Sequence, residues 1–359
     1  MRIGLLPLLF VSLAACSRLE PMLPPGESCK RTHVAEGELL PQRVVWKDAR
    51  DTAEQRVLEL WCETVGAAVY HPLPLGGDTG AVAIDSIALV SWNTHVGGAD
   101  IERFVRDLRN GRFTNGRPVP HFVLLLQEVF RADSALPART RITVPDRIAE
   151  DPPGPGTRRD IVQTAAILGL ALLYVPSMRN GTSAAGNVPE DRGNAILSSL
   201  DLEDVRALEL PFEVQRRVAA IAEIDTETIS GDDFDLVLVS VHLDTRSRLR
   251  SLPASVGRGR RRQAAALIED TRQDDAIVAG GDFNTWAPGF FEVALPFLRS
   301  AFPQTPAAPE AHTFQARAIR RRLDYLFFRL PDNMSATYQR IDAQYGSDHY
   351  PLIGWIQSR

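Results

Sequence analysis

Short apolar runs that end in polar residues recur along this chain. Ala276-Ile277-Val278-Ala279 is small and β-branched and reads as a buried strand. Gly280 and Gly281 break the run and allow a close backbone approach. Asp282 and Asn284 then stand on a strand-to-loop edge, where reactive groups can meet in a cleft. The pattern returns elsewhere. Ile87 to Val90 delivers Ser91-Trp92-Asn93-Thr94, Phe122 to Leu126 ends on Gln127-Glu128, and Asp235 to Val241 ends on His242. Leu323 to Phe328 reads as a strand with Asp324 at its start, and Gly346 to Pro351 as a loop before a last strand, Leu352 to Ile356. Further strands are predicted at Leu172 to Val175 and Val218 to Ile224.

Helical spacing lies between these runs. Ile101, Phe104, Val105 and Leu108 share one face, Asp100 is placed as the cap, and Gly111 as the stop. Asp160 to Leu170 and Gln263 to Thr271 also read as helices, and Val57, Leu58, Trp61 and Val65 share a face within Asp51 to Val65. Strands alternating with helices predict an α/β class. The stretch 131–159, rich in proline, glycine and charge, reads as a surface insertion, and Ser177 to Asp191 as a loop. A single core seldom grows past about 250–300 residues. The 359-residue chain therefore divides into an N-terminal signal (1–16), a linker and extension (17–80), and one large domain (81–359). Pro21 to Gly26 reads as the linker, and Gly76-Gly77-Asp78 ends the extension.

The signal rests on Arg2, the apolar stretch Ile3 to Leu13 and the ending Leu13-Ala14-Ala15-Cys16. That ending resembles a bacterial lipobox, which implies cleavage before Cys16 and a lipid on it. Such a chain is expected in the cell envelope, tethered in the periplasm or at the surface, with Ser17 favouring the outer membrane. Cys29 and Cys62 are the other cysteines, and in an oxidising compartment they are expected to pair. The net charge is −5, yet arginine clusters occur: Arg246 to Arg262 holds seven arginines and no acid, and Arg320-Arg321-Arg322 follows later. They suit a phosphate-rich polymer or equally a solvated face. Lys30 and Lys47 are the only lysines, so arginine is the chain's default basic residue.

Asn93, Glu128, His242, Asp282, Asn284, Asp324, Asp348 and His349 all stand at or beside ends of apolar strands. Polar groups there are costly unless paired or metal-bound, and their types suit metal or acid–base chemistry, so one shared site is expected.

In these pieces the chain resembles the endonuclease/exonuclease/phosphatase superfamily. The matching pieces are Ser91-Trp92-Asn93-Thr94, Leu126-Gln127-Glu128-Val129, Arg192 to Ser198, Ser240-Val241-His242-Leu243, Gly281-Asp282-Phe283-Asn284, Arg322-Leu323-Asp324-Tyr325 and Ser347-Asp348-His349-Tyr350-Pro351. They come in the family's order and cover about Ile84 to Ile356. The resemblance implies a four-layer α/β sandwich of two facing mixed sheets with outer helices. It implies metal-dependent phosphoester hydrolysis, with Mg²⁺ or Mn²⁺ held by Glu128 and Asn93, and Asp348 as a further ligand. Asp282 or His349 takes the proton from the attacking water, Asp324 orients His349, and Asn284 holds the water or a phosphoryl oxygen. His242 resembles the second histidine of deoxyribonuclease-like members, and Asn194 a supporting residue. His95 reads as a loop histidine.

The expected activity is a phosphodiesterase or nuclease on DNA or RNA. The alternatives are the same chemistry on a sphingomyelin- or inositol-phosphate-like ester, or a non-enzymatic envelope binding protein. A monomer, tethered to the membrane through Cys16, is expected.

Overall fold

The computed structural model describes residues 29, 32–33, 44–47, 52–74, 81–136, 158–182, 188–228, 231–245, 256–286, 291–307 and 311–358. The signal with Cys16, the linker at 21–26, the break at 76–78, most of the 131–159 insertion and Arg246 to Arg250 lie outside the described residues.

Two large sheets face each other. The first runs, in spatial order, Thr32–His33, Ala68–His71, Ala171–Thr182, Pro189–Ser198, Phe122–Ala132, Ala88–Asn93, Leu352–Ser358 and Met334–Arg340. The second runs Asp324–Arg329, Ile277–Asp282, Asp233–His242, Val218–Glu227, Glu203–Glu209 and Val45–Lys47, with Val82–Ala83 beside Val218–Glu227. Both are mixed: Ala88–Asn93 is parallel to Phe122–Ala132, and Asp233–His242 is parallel to Ile277–Asp282, among antiparallel neighbours.

Strand alternation explains the layers. Leu89, Val123, Leu125, Leu173 and Ile196 of the first sheet meet Ala220, Leu238, Val278, Leu326 and Phe328 of the second in a central core. The intervening residues Ala88, Val90, Trp92, Phe122 and Leu124 point outward and are covered by helices Ile101–Arg109 and Ile161–Leu168. On the other side Val239, Val241, Ile277, Ala279 and Phe327 pack under helices Val256–Asp270 and Ala294–Ala301. Strands buried on both faces must be apolar at every position, which is why they read as continuous runs. The result is a four-layer α/β sandwich.

Near one end the sheets are pinned together. A Cβ on Gly280 would lie 2.7 Å from Leu125 Cδ1 and 2.9 Å from Ser91 Cβ, so only glycine permits this approach. Gln127 Nε2 donates across the gap to Ser240 Oγ (3.1 Å), which donates to Leu126 O (2.8 Å). Asn194 Nδ2 crosses likewise to Val218 O (2.7 Å).

Two segments differ from the sequence reading. The expected loop from Ser177 to Asp191 is largely strand, because Ala171–Thr182 and Pro189–Ser198 pair through register shifts at Pro176/Met178 and Arg179/Gly181. Its polarity is internal: Arg131 pairs with Asp191, and Asn180 Nδ2 and Arg158 Nη1 each reach Glu190 Oε2 at 3.0 Å. The helix expected from Gln263 begins at Val256, with the fully buried Arg260 paired to Glu292.

The described parts of the extension are built into the domain. Ala68–His71 pairs with Ala171–Thr182, and Val45–Lys47 with Glu203–Glu209. Helix Thr52–Cys62 is joined to Cys29 by a Cys29–Cys62 disulfide whose Cα atoms are 5.2 Å apart, and its Trp61 packs on Met178 and Phe212.

Candidate active site

The pinned end opens into a cavity of about 720 Å³ at the carboxyl ends of Ala88–Asn93, Asp233–His242 and Ile277–Asp282. Asn93, Glu128, His242, Asp282, Asn284, Asp348 and His349 all line it. Each strand ends by turning its last polar residue into the gap. Glu128 sits within an irregularity between Leu126 and Val129, at φ 55°, which takes it out of the ladder. Asn284 also has a positive φ, 51°, just past its strand.

Asp282 is the hub. Its Oδ1 accepts from Asn284 N (2.9 Å), and Oδ2 accepts from Asn93 Nδ2 (3.1 Å). His242 Nε2 and His349 Nε2 lie 3.5 and 3.8 Å from the same Oδ2. Burial, then the neighbouring Asp324 charge, push the Asp282 carboxyl up to about 7.

His349 is oriented from behind, its Nδ1 lying 2.8 Å from Asp324 Oδ2 and 3.0 Å from Oδ1. Asp324 itself is buried. Burial alone would lower the imidazole; the charge and hydrogen bond of Asp324, with Asp282 and Asp348, outweigh it and raise His349 to about 10. The ring is therefore a cation at neutral pH. His242 is the opposite case: burial first, then the charges of Arg217, His349 and Arg192, hold it well below 6.5 and neutral. Two imidazoles in one cavity thus carry different charge.

Asp324, Asp282 and His349 offer ligand atoms within 4.8 Å of one another. With Nδ1 engaged by Asp324 and Nε2 facing Asp282, the imidazole is placed for acid–base work. An oxygen-rich set lies beside it. Among the described residues no hydrogen-bond donor reaches the Glu128 carboxylate, and His242 Nδ1 lies 3.8 Å from its Oε1. Asp348 is partly exposed, and burial first, with Glu128 adding repulsion, raises its carboxyl. Crowded carboxylates with spare oxygens are the chemistry a hard divalent cation takes. Glu128, Asp348 and the Asn93 amide oxygen, which also accepts from His95 N at 3.0 Å, fit such an ion.

Two assigned residues serve the framework. Asn284 Nδ2 donates to Leu243 O (2.8 Å) and its Oδ1 accepts from Trp286 Nε1 (2.8 Å), so one amide hydrogen is left for a substrate. Asn194 ties the sheets as described. The sequence reading missed several groups at the cavity. His95 Nδ1 lies 3.5 Å from Asp348 Oδ1, and Arg192, Gln215, Arg217, Trp286 and Phe314 line the walls. Phe314 packs on His349 with ring centroids 5.0 Å apart. Gln215 and Arg217 lie in the loop just before the strand predicted at Val218, where an arginine or glutamine alone signals little in this arginine-rich chain.

Residues 90–349 match the Endonuclease/Exonuclease/phosphatase family. The chain belongs to this family. Its members are hydrolases acting on phosphoester bonds. Among solved structures, it is similar to an endonuclease/exonuclease/phosphatase from Beutenbergia cavernae DSM 12333, at 18% identity over 76% of this chain and 71% of that one, TM-score 0.49. It is also similar to the human nocturnin catalytic domain with bound sulfate, at 16% identity over 80% and 100%, TM-score 0.45. A beta toxin variant from Staphylococcus aureus with bound magnesium ions is similar at 12% identity over 75% and 98%, TM-score 0.39. None of the curated proteins compared with the chain matches it.

Proposed function

We propose that this protein hydrolyses phosphodiesters with Mg²⁺ or Mn²⁺ and an activated water, with DNA or RNA the favoured substrate. The observation that carries the reading is the convergence of the Asp324–His349 pair, Asp282 and Glu128 on one cavity. Water attacks phosphorus as the ester P–O bond breaks. Asp282, raised to about 7, is matched to accept the water's proton near neutral pH. His349 is already protonated and suits donating from Nε2 to a phosphoryl oxygen, which supports Asp282 rather than His349 as the base. Asn93 Nδ2 keeps Asp282 aimed. A divalent ion on Glu128, Asp348 and Asn93 would neutralise phosphoryl charge and steady the departing oxygen.

A second reading, a lipid-derived or inositol phosphate ester, is favoured by one finding. Arg260 is neutralised by Glu292 and Arg262 by Glu54 and Glu213, so their helix offers less basic surface than its sequence suggests. The lipobox-like ending at Cys16 supports a lipid-anchored form in the cell envelope, near membrane substrates.

Purified protein incubated with plasmid DNA, RNA, sphingomyelin vesicles and phosphorylated inositols, with Mg²⁺, Mn²⁺ or chelator, tests both. Nicked plasmid or shortened RNA only with metal is the expected result. Choline phosphate or inorganic phosphate without nucleic-acid cleavage would select the second reading. No turnover would leave a binding protein.

A further inference from the structure

Two arginines on one wall of the cavity have no task in the hydrolysis described above. Arg192 lies on Pro189–Ser198 of the first sheet, and Arg217 directly precedes Val218–Glu227 of the second. The bond from Asn194 to Val218 O ties those strands together, and Arg192, two residues before Asn194, shares its side of the strand. Asp244 fixes the approach to Arg217 by accepting from Val214 N and Gln215 N, both at 2.8 Å.

Both arginines are buried, with 8% and 6% of their surface exposed. Among the described residues Arg217 makes one hydrogen bond, from Nη2 to Gln215 Oε1 (2.9 Å), and its Nε has no acceptor. Arg192 Nη2 meets the Met178 sulfur at 3.1 Å. Glu128, Asp282 and Asp244 act on Arg217 through charge, but Arg192 repels it. Arg217 thus keeps guanidinium N–H groups that no described residue uses, beside Arg192 on the cavity lining. A guanidinium fork matches phosphate oxygens in geometry as well as charge.

We infer that Arg192 and Arg217 form an anion subsite for a second phosphate of the substrate, one beside the ester that is cut. This deepens the phosphoesterase reading and rests on it. The preferred substrates are then polyanionic, whether a nucleic acid strand or a phosphorylated inositol. A choline ester would bring a cation toward two guanidinium groups and is disfavoured.

The test compares esters that differ only in the second phosphate. One arm uses a thymidine dinucleotide without terminal phosphate and the same dinucleotide phosphorylated at its 5′ or its 3′ end. The other uses glycerophosphoinositol with and without a further ring phosphate. In the wild type, kcat/KM is expected to be about tenfold or more higher for a doubly phosphorylated ester in at least one arm, mostly through KM. Arg217→Met and Arg192→Gln are expected to erase that ratio, and Arg217→Lys to restore part of it. Where Arg217→Met melts early, Arg192→Gln decides. Equal wild-type rates on each matched pair, or a ratio that survives both variants, would overturn the subsite. No turnover of any ester with Mg²⁺ or Mn²⁺ would overturn the phosphoesterase reading with it.

Discussion

The molecule has a cavity at each end of the strand Ala88–Asn93, and the two are almost the same size. One, of about 720 Å³, holds Asn93 and the groups described above; the other, of about 730 Å³, is lined by Asp85, Arg117, Pro120, Gln339 and Trp355 among others. Size therefore does not distinguish them. Burial and coupling do. Asp282, Asp324, His242 and His349 are all buried and lie in hydrogen bonds or charge contacts with one another, whereas Asp85, Arg117 and Gln339 are exposed. Burial penalises charge and strengthens the coupling between charges, and in the first cavity the two together raise one imidazole and lower the other.

That contrast can be broken by mutation. Asp282→Ala and His349→Ala are each expected to lower kcat about 10²–10⁴-fold with folding intact, measured on whichever ester the protein turns over. Near-normal rates in both would remove the distinction between the cavities. Glu128→Gln is expected to raise the metal concentration for half-maximal activity by about 10–100-fold, and chelation to abolish turnover. An unchanged metal titration would take Glu128 out of the ion's ligand set. Gly280→Ala should cost about 1–3 kcal/mol in denaturant unfolding, because its new methyl meets Leu125 and Ser91.

A pH profile sharpens the same point. The proposed mechanism uses Asp282 ionised and His349 protonated, so kcat/KM should rise as pH passes through about 7 and fall as it nears about 10. In Asp324→Asn the imidazole loses the carboxylate that raises it, and the alkaline fall should move to lower pH. At the other end, Arg117→Gln should leave kcat/KM within about twofold, as expected of an exposed side chain away from the chemistry.

Much of this was legible in the sequence, for a physical reason. Strands covered on both faces are apolar throughout, so Ile277–Asp282 and Phe122–Ala132 announce themselves and so do the acids and amides that end them. Strands with an exposed or polar face do not. Glu203–Glu209 and Met334–Arg340 alternate with solvent-facing residues, and helix Ala294–Ala301 has no side-chain cap to mark its start. Glu190 and Asp191 look like loop residues because the ion pairs that allow their burial come from Arg158 and Arg131, far away in sequence, and Asn180 is in turn held by Glu190. Arg192 and Arg217 were hidden in another way: in a chain with almost no lysine, an arginine alone signals little.

The chain also leaves the first sheet to build the second, then returns. Leu352–Ser358 inserts between Ala88–Asn93 and Met334–Arg340, and the bond from Trp92 Nε1 to His349 O closes a loop of 257 residues. Such a long closure is a slow event in folding. His349 is therefore expected to reach its place late in refolding, and recovery of turnover after dilution from denaturant should trail recovery of far-ultraviolet circular dichroism.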